Sequence, residues 1–262
     1  MFMWEKELKA MKEASLLAEK EILRVYHTKF DVEIKSDDSP VTSADKHADK
    51  IIREYLHSLF PSYAFLTEES KDTKERLDND FVFIVDPVDG TKEFVSKNDE
   101  FTTNIALAYK KEIVVGVINV PMQNKMDYAV KGEGAYMEKK GEKPIRLHVS
   151  EQIGPKYVCL LSRSFSVEKE KELIEKHKNE ISAVRVLGAA TKFLAIAEGE
   201  AHMFYRFSGG TKEWDVASGD LIVSEAGGIM TKPNGERYVY NREDVYNHDG
   251  YILLNDPKNN LL

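Results

Sequence analysis

A chain of 262 residues is long enough for one large domain or two packed subdomains, which excludes a small stapled fold. With 42% hydrophobic and 31% charged residues, and 15 glycines and 8 prolines spread along it, it is not disordered or low-complexity. A net charge of −8 without a long Lys/Arg run argues against nucleic acid or an anionic membrane as the main partner, so a phosphate-bearing ligand would need cations or local donors.

Residues 3 to 29 are rich in Ala, Glu, Lys and Leu, and Leu8, Met11, Ser15, Ala18, Ile22 and Val25 recur at helical spacing, predicting a long amphipathic helix. Met1 to Ala10 lack an apolar signal core and Cys159 has no second cysteine to pair with, so the cytoplasm is the expected compartment. A polar stretch, Lys35 to Pro40, precedes a second helix with the apolar face Ala44, Ala48, Ile51, Ile52, Tyr55 and Leu59, ending before Pro61. Residues 81–85, 101–109, 113–120, 126–130 and 145–149 read as strands of a mostly antiparallel sheet, with a turn at Lys131 to Gly134. Beyond about residue 150 the types alternate: strand 157–161, a helix around 168–177, strand 183–187, helix 190–198, strand 201–207 and helix 216–226. The predicted class is α/β, with an α+β half over 1–150 and an α/β half over 151–262. No flexible linker separates the halves, so a cleft between them is the natural place for a site. Cys159, inside the apolar run 157–161, is expected as a buried strand residue rather than a catalytic thiol.

The most informative segment is Phe81 to Thr91, an apolar strand running into Asp86-Pro87-Val88-Asp89-Gly90. Two carboxylates at a buried strand end are costly unless their charge is compensated, and a divalent cation does so. Oxygen donors favour Mg²⁺ or Mn²⁺, and no Cys/His set for zinc is present. The alternative is a plain turn, because Asp, Pro and Gly are all turn residues. Glu68 and Glu69 also follow a short apolar run, Tyr63 to Leu66. Thr42 and Asp45 fit a capping box, while Asp45 could instead face the cleft and orient water. Asp215 stands where a helix N-cap is expected, with Gly227 and Gly228 closing that helix, and a carboxylate there could equally serve a metal.

Four segments, Val-Thr-Ser-Ala-Asp at 41–45, Glu-Glu-Ser at 68–70, Asp-Pro-Val-Asp-Gly-Thr at 86–91 and Trp-Asp-Val-Ala-Ser-Gly at 214–219 with Glu-Ala-Gly-Gly at 225–228, together resemble the inositol monophosphatase superfamily of lithium-sensitive, metal-dependent phosphatases. The resemblance implies a layered αβαβα fold with its site between two subdomains, the second carrying Asp215 and the substrate-binding cations. It implies two or three Mg²⁺ ions, with Mn²⁺ a possible substitute. Asp86 would bridge two metals; Glu68 and the Val88 carbonyl would serve the first, Asp89 and Asp215 the second, with Glu69 in support. Asp45 and Thr91 would orient the attacking water, and the backbone at Gly90 and Thr91 would receive phosphate oxygens. A homodimer is common among such proteins.

Asp-Gly-Thr-Lys-Glu-Phe at 89–94 is similar to the CysQ type within that superfamily, the 3′(2′),5′-bisphosphate nucleotidases, as are Phe101 to Leu107, Ser162 to Ser164, Lys192-Phe193, Ala197 to Gly199 and Tyr205 to Phe207. The implied substrate is 3′-phosphoadenosine 5′-phosphate. Its second phosphate needs cations away from the metals, and Arg163, Lys192 and Arg206 are the candidates. Two departures, Gly188-Ala189-Ala190 where CysQ-type proteins carry Ser-Ser and Phe165 where they carry His, leave an inositol or polyol phosphate as the alternative. A sensor that binds metal or nucleotide without turnover is the alternative of a different class.

Overall fold

The computed structural model describes residues 3–35 and 39–262, so positions 36–38 of the polar stretch lie outside the described residues. Helix α1 (Glu5–Tyr26) leads into a two-stranded antiparallel ribbon, β1 (Val32–Ile34) with β2 (Pro40–Thr42), and then helix α2 (Ser43–Leu59). Seven strands follow in a sheet whose spatial order is the chain order: β3 (Ala64–Thr67), β4 (Phe81–Asp89), β5 (Thr102–Tyr109), β6 (Glu112–Val120), β7 (Lys125–Val130), β8 (Gly134–Lys139) and β9 (Ile145–Arg146). Short helix α3 (Thr91–Val95) joins β4 to β5. Only the β3–β4 pairing in this sheet is parallel. The remaining strands are β10 (Tyr157–Ser162), β11 (Ile181–Leu187), β12 (Met203–Arg206), β13 (Ile229–Thr231) and β14 (Tyr251–Leu254). They form a second, mixed sheet in the order β11, β10, β12, β14, β13, interleaved with helices α4 (Glu168–Lys176), α5 (Thr191–Ala197) and α6 (Glu213–Glu225).

Side-chain alternation along the strands decides the layering. Phe83, Val85, Ile105, Leu107, Val115 and Val117 pack with the apolar faces of α1 and α2. Val82, Ile84, Ala106, Ala108 and Ile118 face the other way, into a core shared with α5, α6 and Leu160, Phe204 and Leu253 of the second sheet. The far face of that sheet, Cys159, Met203, Tyr205 and Ile252, is covered by Leu173 of α4. The layers are therefore α, β, α, β, α, and the middle helices are covered on both sides. Helix α6 lies close against β6 because position 116 is Gly: a Cβ there would sit 2.8 Å from the Ser218 carbonyl oxygen.

The expected first helix is shorter at both ends, and the last begins three residues earlier than 216. Residues 145–149 make only the two-residue β9, because the Val149 amide turns away to the Ala226 carbonyl at the end of α6. Strands β8, β13 and β14 were not anticipated. Cys159 is buried, and burial pushes its thiol up to about 12. Among the described residues no helix is long and apolar enough to cross a membrane.

Candidate active site

Strand parity delivers the first acid. Val82 and Ile84 face α5 and α6, and Asp86 continues that face, 1% exposed. Between Asp86 and Asp89 the pairing with β5 slips: three steps on β4 match two on β5, from Asn104 to Thr102. The extra residue returns Asp89 to the same side as Asp86. Glu68 follows Leu66, which also points to that face, and its amide bonds the Val85 carbonyl at 3.2 Å, beside the start of the acidic turn.

Asp215 arrives from the opposite side, on the first turn of α6. It is the third helical residue rather than the expected N-cap, which is Lys212. Its Oδ2 accepts the Lys212 backbone N–H at 2.5 Å. At the far end, the left-handed Gly227 (φ +102°) and Gly228 return their amides to Ser224 and Val223, as read from the sequence. One carboxylate oxygen each from Asp86, Asp89 and Asp215 lies within 4.8 Å of the others. Glu68 and Val88 line the same cleft of about 250 Å³.

The acids are short of compensating charge. Burial first, then Glu68, Asp89 and Asp215, hold Asp86 well above the usual carboxylate range. Burial pushes Asp89 up to about 6, although Lys192 and the 3.1 Å bond from Asn104 Nδ2 pull the other way. Asp215 is raised to about 7 by burial, then by Asp89 and Glu68. One buried and several half-buried carboxylates with oxygen-only donors and too few cations fit a hard divalent ion.

Asp45 serves two partners with two oxygens. Its Oδ2 accepts from the Thr42 amide (2.8 Å) and hydroxyl (2.6 Å), the capping box of α2. Its Oδ1 lies 3.0 Å from the Thr91 hydroxyl, which is also 3.2 Å from the Val88 carbonyl. Burial raises the Asp45 carboxyl against the hydrogen bonds from Thr42 and Thr91. Gly90, at φ +87°, is the left-handed entry to α3 that sets Thr91 at its first position.

Glu69 is not among the residues lining the cleft. It pairs with Lys35, and burial brings it to about 7 despite that ion pair. Lys35 also reaches Glu68 at 2.9 Å. Sequence reasoning saw Lys35 only as the start of a polar stretch, because nothing in its neighbourhood names partners more than thirty positions away. Asn104 lies in the CysQ-like run 101–107 but carries no role there, although its place on the same face of β5 as Ala106 is a usable signal.

Of the three expected substrate cations, Lys192 and Arg206 line the cleft and are buried, whereas Arg163 is absent from its lining. The Arg163 guanidinium is held by Glu100 through two bonds of 2.6 and 2.7 Å. The Lys192 ammonium bonds the Ala189 carbonyl, and burial lowers it to about 8 although Asp89 supports its charge. Arg206 keeps a buried Nε with no hydrogen-bond partner, and its guanidinium lies 5.3 Å from the Phe165 ring, which Lys92 approaches to 4.2 Å.

Comparison with known proteins follows the same lines. The 3′(2′),5′-bisphosphate nucleotidase CysQ of Salmonella typhimurium is 34% identical over 219 residues, covering 83% of this chain and 86% of that protein. The crystal structure of CysQ from Bacteroides thetaiotaomicron superposes with a TM-score of 0.84 at 32% identity, over 96% of this chain and 98% of that one. The extragenic suppressor protein suhB from Bartonella henselae superposes at 0.82 with 28% identity, over 96% and 94%. The inositol monophosphatase family model matches residues 3–260, and the chain belongs to that family.

Proposed function

We propose that this metal-dependent phosphatase is a 3′(2′),5′-bisphosphate nucleotidase that hydrolyses 3′-phosphoadenosine 5′-phosphate to AMP and phosphate. The observation that carries this reading is the convergence of Asp86, Asp89 and Asp215 with Glu68 at the floor of one cleft. Glu68, Asp86, Asp89, Asp215 and the Val88 carbonyl would hold Mg²⁺, with Li⁺ inhibitory by analogy with the superfamily. When bound, such ions supply charge that acidifies water and neutralises phosphoryl oxygens.

The rest of the chemistry belongs to the chain. Thr91 and Asp45 would hold the attacking water, with the Asp45 Oδ1 as proton acceptor, and the Gly90–Thr91 backbone would receive a phosphate oxygen. Lys192 and Arg206, of the 151–262 half, would face the second phosphate across from the acids of the 1–150 half. Arg163 would act only indirectly, through Glu100, whose carboxylate accepts the Gly188 amide at 2.7 Å. The relatives named CysQ support the nucleotide reading. Ala189 and Phe165 in the cleft wall offer neither hydroxyl nor imidazole, and this favours an inositol or polyol phosphate as the second reading. The retained Asp45–Thr91 pair counts against a sensor without turnover.

The test is phosphate release with Mg²⁺ from 3′-phosphoadenosine 5′-phosphate, inositol 1-phosphate, fructose 1,6-bisphosphate and NADP. The first is expected to be preferred, and equal rates on all four would remove the nucleotidase reading. Asp89→Asn is expected to abolish turnover in a folded protein; undiminished release would reject the metal assignment itself.

A further inference from the structure

A largely buried polar network joins the first turn of α6 to Arg76, and the proposed chemistry does not use it. Glu213, the first residue of α6, is fully buried, and its carboxylate accepts the backbone N–H groups of Asn241 (2.7 Å) and Arg242 (2.8 Å) and the Arg242 Nε (3.1 Å). Asn241 is 2% exposed and holds a left-handed backbone, φ +54°, uncommon for any residue with a side chain. Its side chain is spent on Arg76: Oδ1 accepts from Nη1 at 2.6 Å, and Nδ2 donates to the Arg76 carbonyl at 3.0 Å. Arg76, itself 3% exposed, also donates to the Arg242 carbonyl (3.0 Å) and forks onto Asp72 (2.8 and 3.1 Å).

Each end of this chain of contacts starts close to a proposed metal acid. Glu213 is two residues before Asp215, on the same helical turn, and Asp72 and Arg76 follow Glu68 by four and eight residues in the segment between β3 and β4. Asn241 touches both ends at once, by its backbone on the Glu213 side and by its amide on the Arg76 side. A buried ionic network adds little net stability over apolar packing, but it fixes relative position, because every member loses a partner if either segment shifts.

We propose that Asn241 is a positioning residue: with Arg76 and Glu213 it forms a brace that sets the distance between Asp215 and the Glu68 side of the metal-binding acids. This rests on the metal reading above. Partners bonded directly to metal ligands are worth about 10–100-fold in metal affinity; this network bonds none of the proposed ligands and would act through the backbone that carries them, so its effect is expected at or below the lower end of that range.

The test is Mg²⁺ binding to the substrate-free protein by calorimetry, alongside the metal-free thermal midpoint in EDTA. Asn241→Gly keeps the left-handed backbone and the bond to Glu213 but deletes both contacts with Arg76; it is expected to weaken Mg²⁺ by up to about tenfold. Asn241→Asp retains the oxygen that Arg76 Nη1 needs but sets its second oxygen against the Arg76 carbonyl, so it is expected to recover only part of the affinity. Arg76→Lys, which keeps the charge and loses the fork, gives the same readout should the glycine variant not fold, and is expected to weaken Mg²⁺ likewise. A lowered midpoint with unchanged Mg²⁺ affinity in Asn241→Gly and Arg76→Lys would make the network ordinary scaffolding and overturn the brace alone. Absence of Mg²⁺ binding by the unaltered protein would overturn the metal reading and the brace with it.

Discussion

Asp45 divides its two oxygens between a helix cap and a cleft hydroxyl, and substitutions of its two partners should separate those duties. Thr42→Ala removes the cap hydroxyl and is expected to cost about 1 kcal/mol in urea unfolding, with kcat little changed. Thr91→Ala, which leaves Asp45 Oδ1 without its hydroxyl partner, is expected to cost about 1–3 kcal/mol in stability and to lower kcat about 100-fold at saturating metal. Equal kcat losses in the two variants would show that the two duties of Asp45 are not separable. The capping box at Thr42 and Asp45 was legible because it is a local pattern. Lys35 was not, since its partners Glu68 and Glu69 lie 33 and 34 positions on and are brought to it only by the fold. The same limit applied to Arg163, whose exposed-looking charge gave no sign of the commitment to Glu100.

At the scale of elements, α6 matters most because it presses Asp215 against a sheet from which the other acids emerge. Gly116→Val would place a side chain on the Ser218 backbone, where a Cβ already meets the oxygen at 2.8 Å. The expected result is a loss of about 1–3 kcal/mol in urea unfolding, together with weaker activation by Mg²⁺. An unchanged midpoint would show that the helix has room to move. The long periodic helices α1 and α2 and the apolar strands β4 to β7 were readable because repetition over many residues outweighs local noise. Strands β13 and β14 were not: one has three residues after a glycine pair, and the other follows an aperiodic stretch. The start of α6 was misjudged because Glu213 and Asp215 both look like pre-helical polar residues, whereas the cap falls on Lys212.

For the whole molecule, the layering was anticipated from the order of elements and from the resemblance, while the sharing of one core between the two sheets was not visible in either half alone. That arrangement makes the acidic floor a pH-sensitive liability without metal. The folded values of Asp89 and Asp215, about 6 and about 7, exceed the ordinary 3.8, so these groups bind protons more tightly in the folded chain. Their contribution to stability is full below about pH 4 and is lost as pH rises from there to about 6 for Asp89 and about 7 for Asp215. Lys192, lowered to about 8, acts above that window. In EDTA the thermal midpoint is therefore expected to be several degrees higher at pH 5.5 than at pH 7.5, and Mg²⁺ should raise the pH 7.5 value most. A midpoint indifferent to Mg²⁺ at both pH values would contradict this. The central position of α6 has one more effect. During synthesis the inner side of the large sheet is complete when residue 146 has emerged, yet the helix that covers it ends only at Glu225. For nearly eighty residues of translation that greasy surface waits for its full cover, and a chain truncated before α6 is expected to aggregate more readily than the full chain.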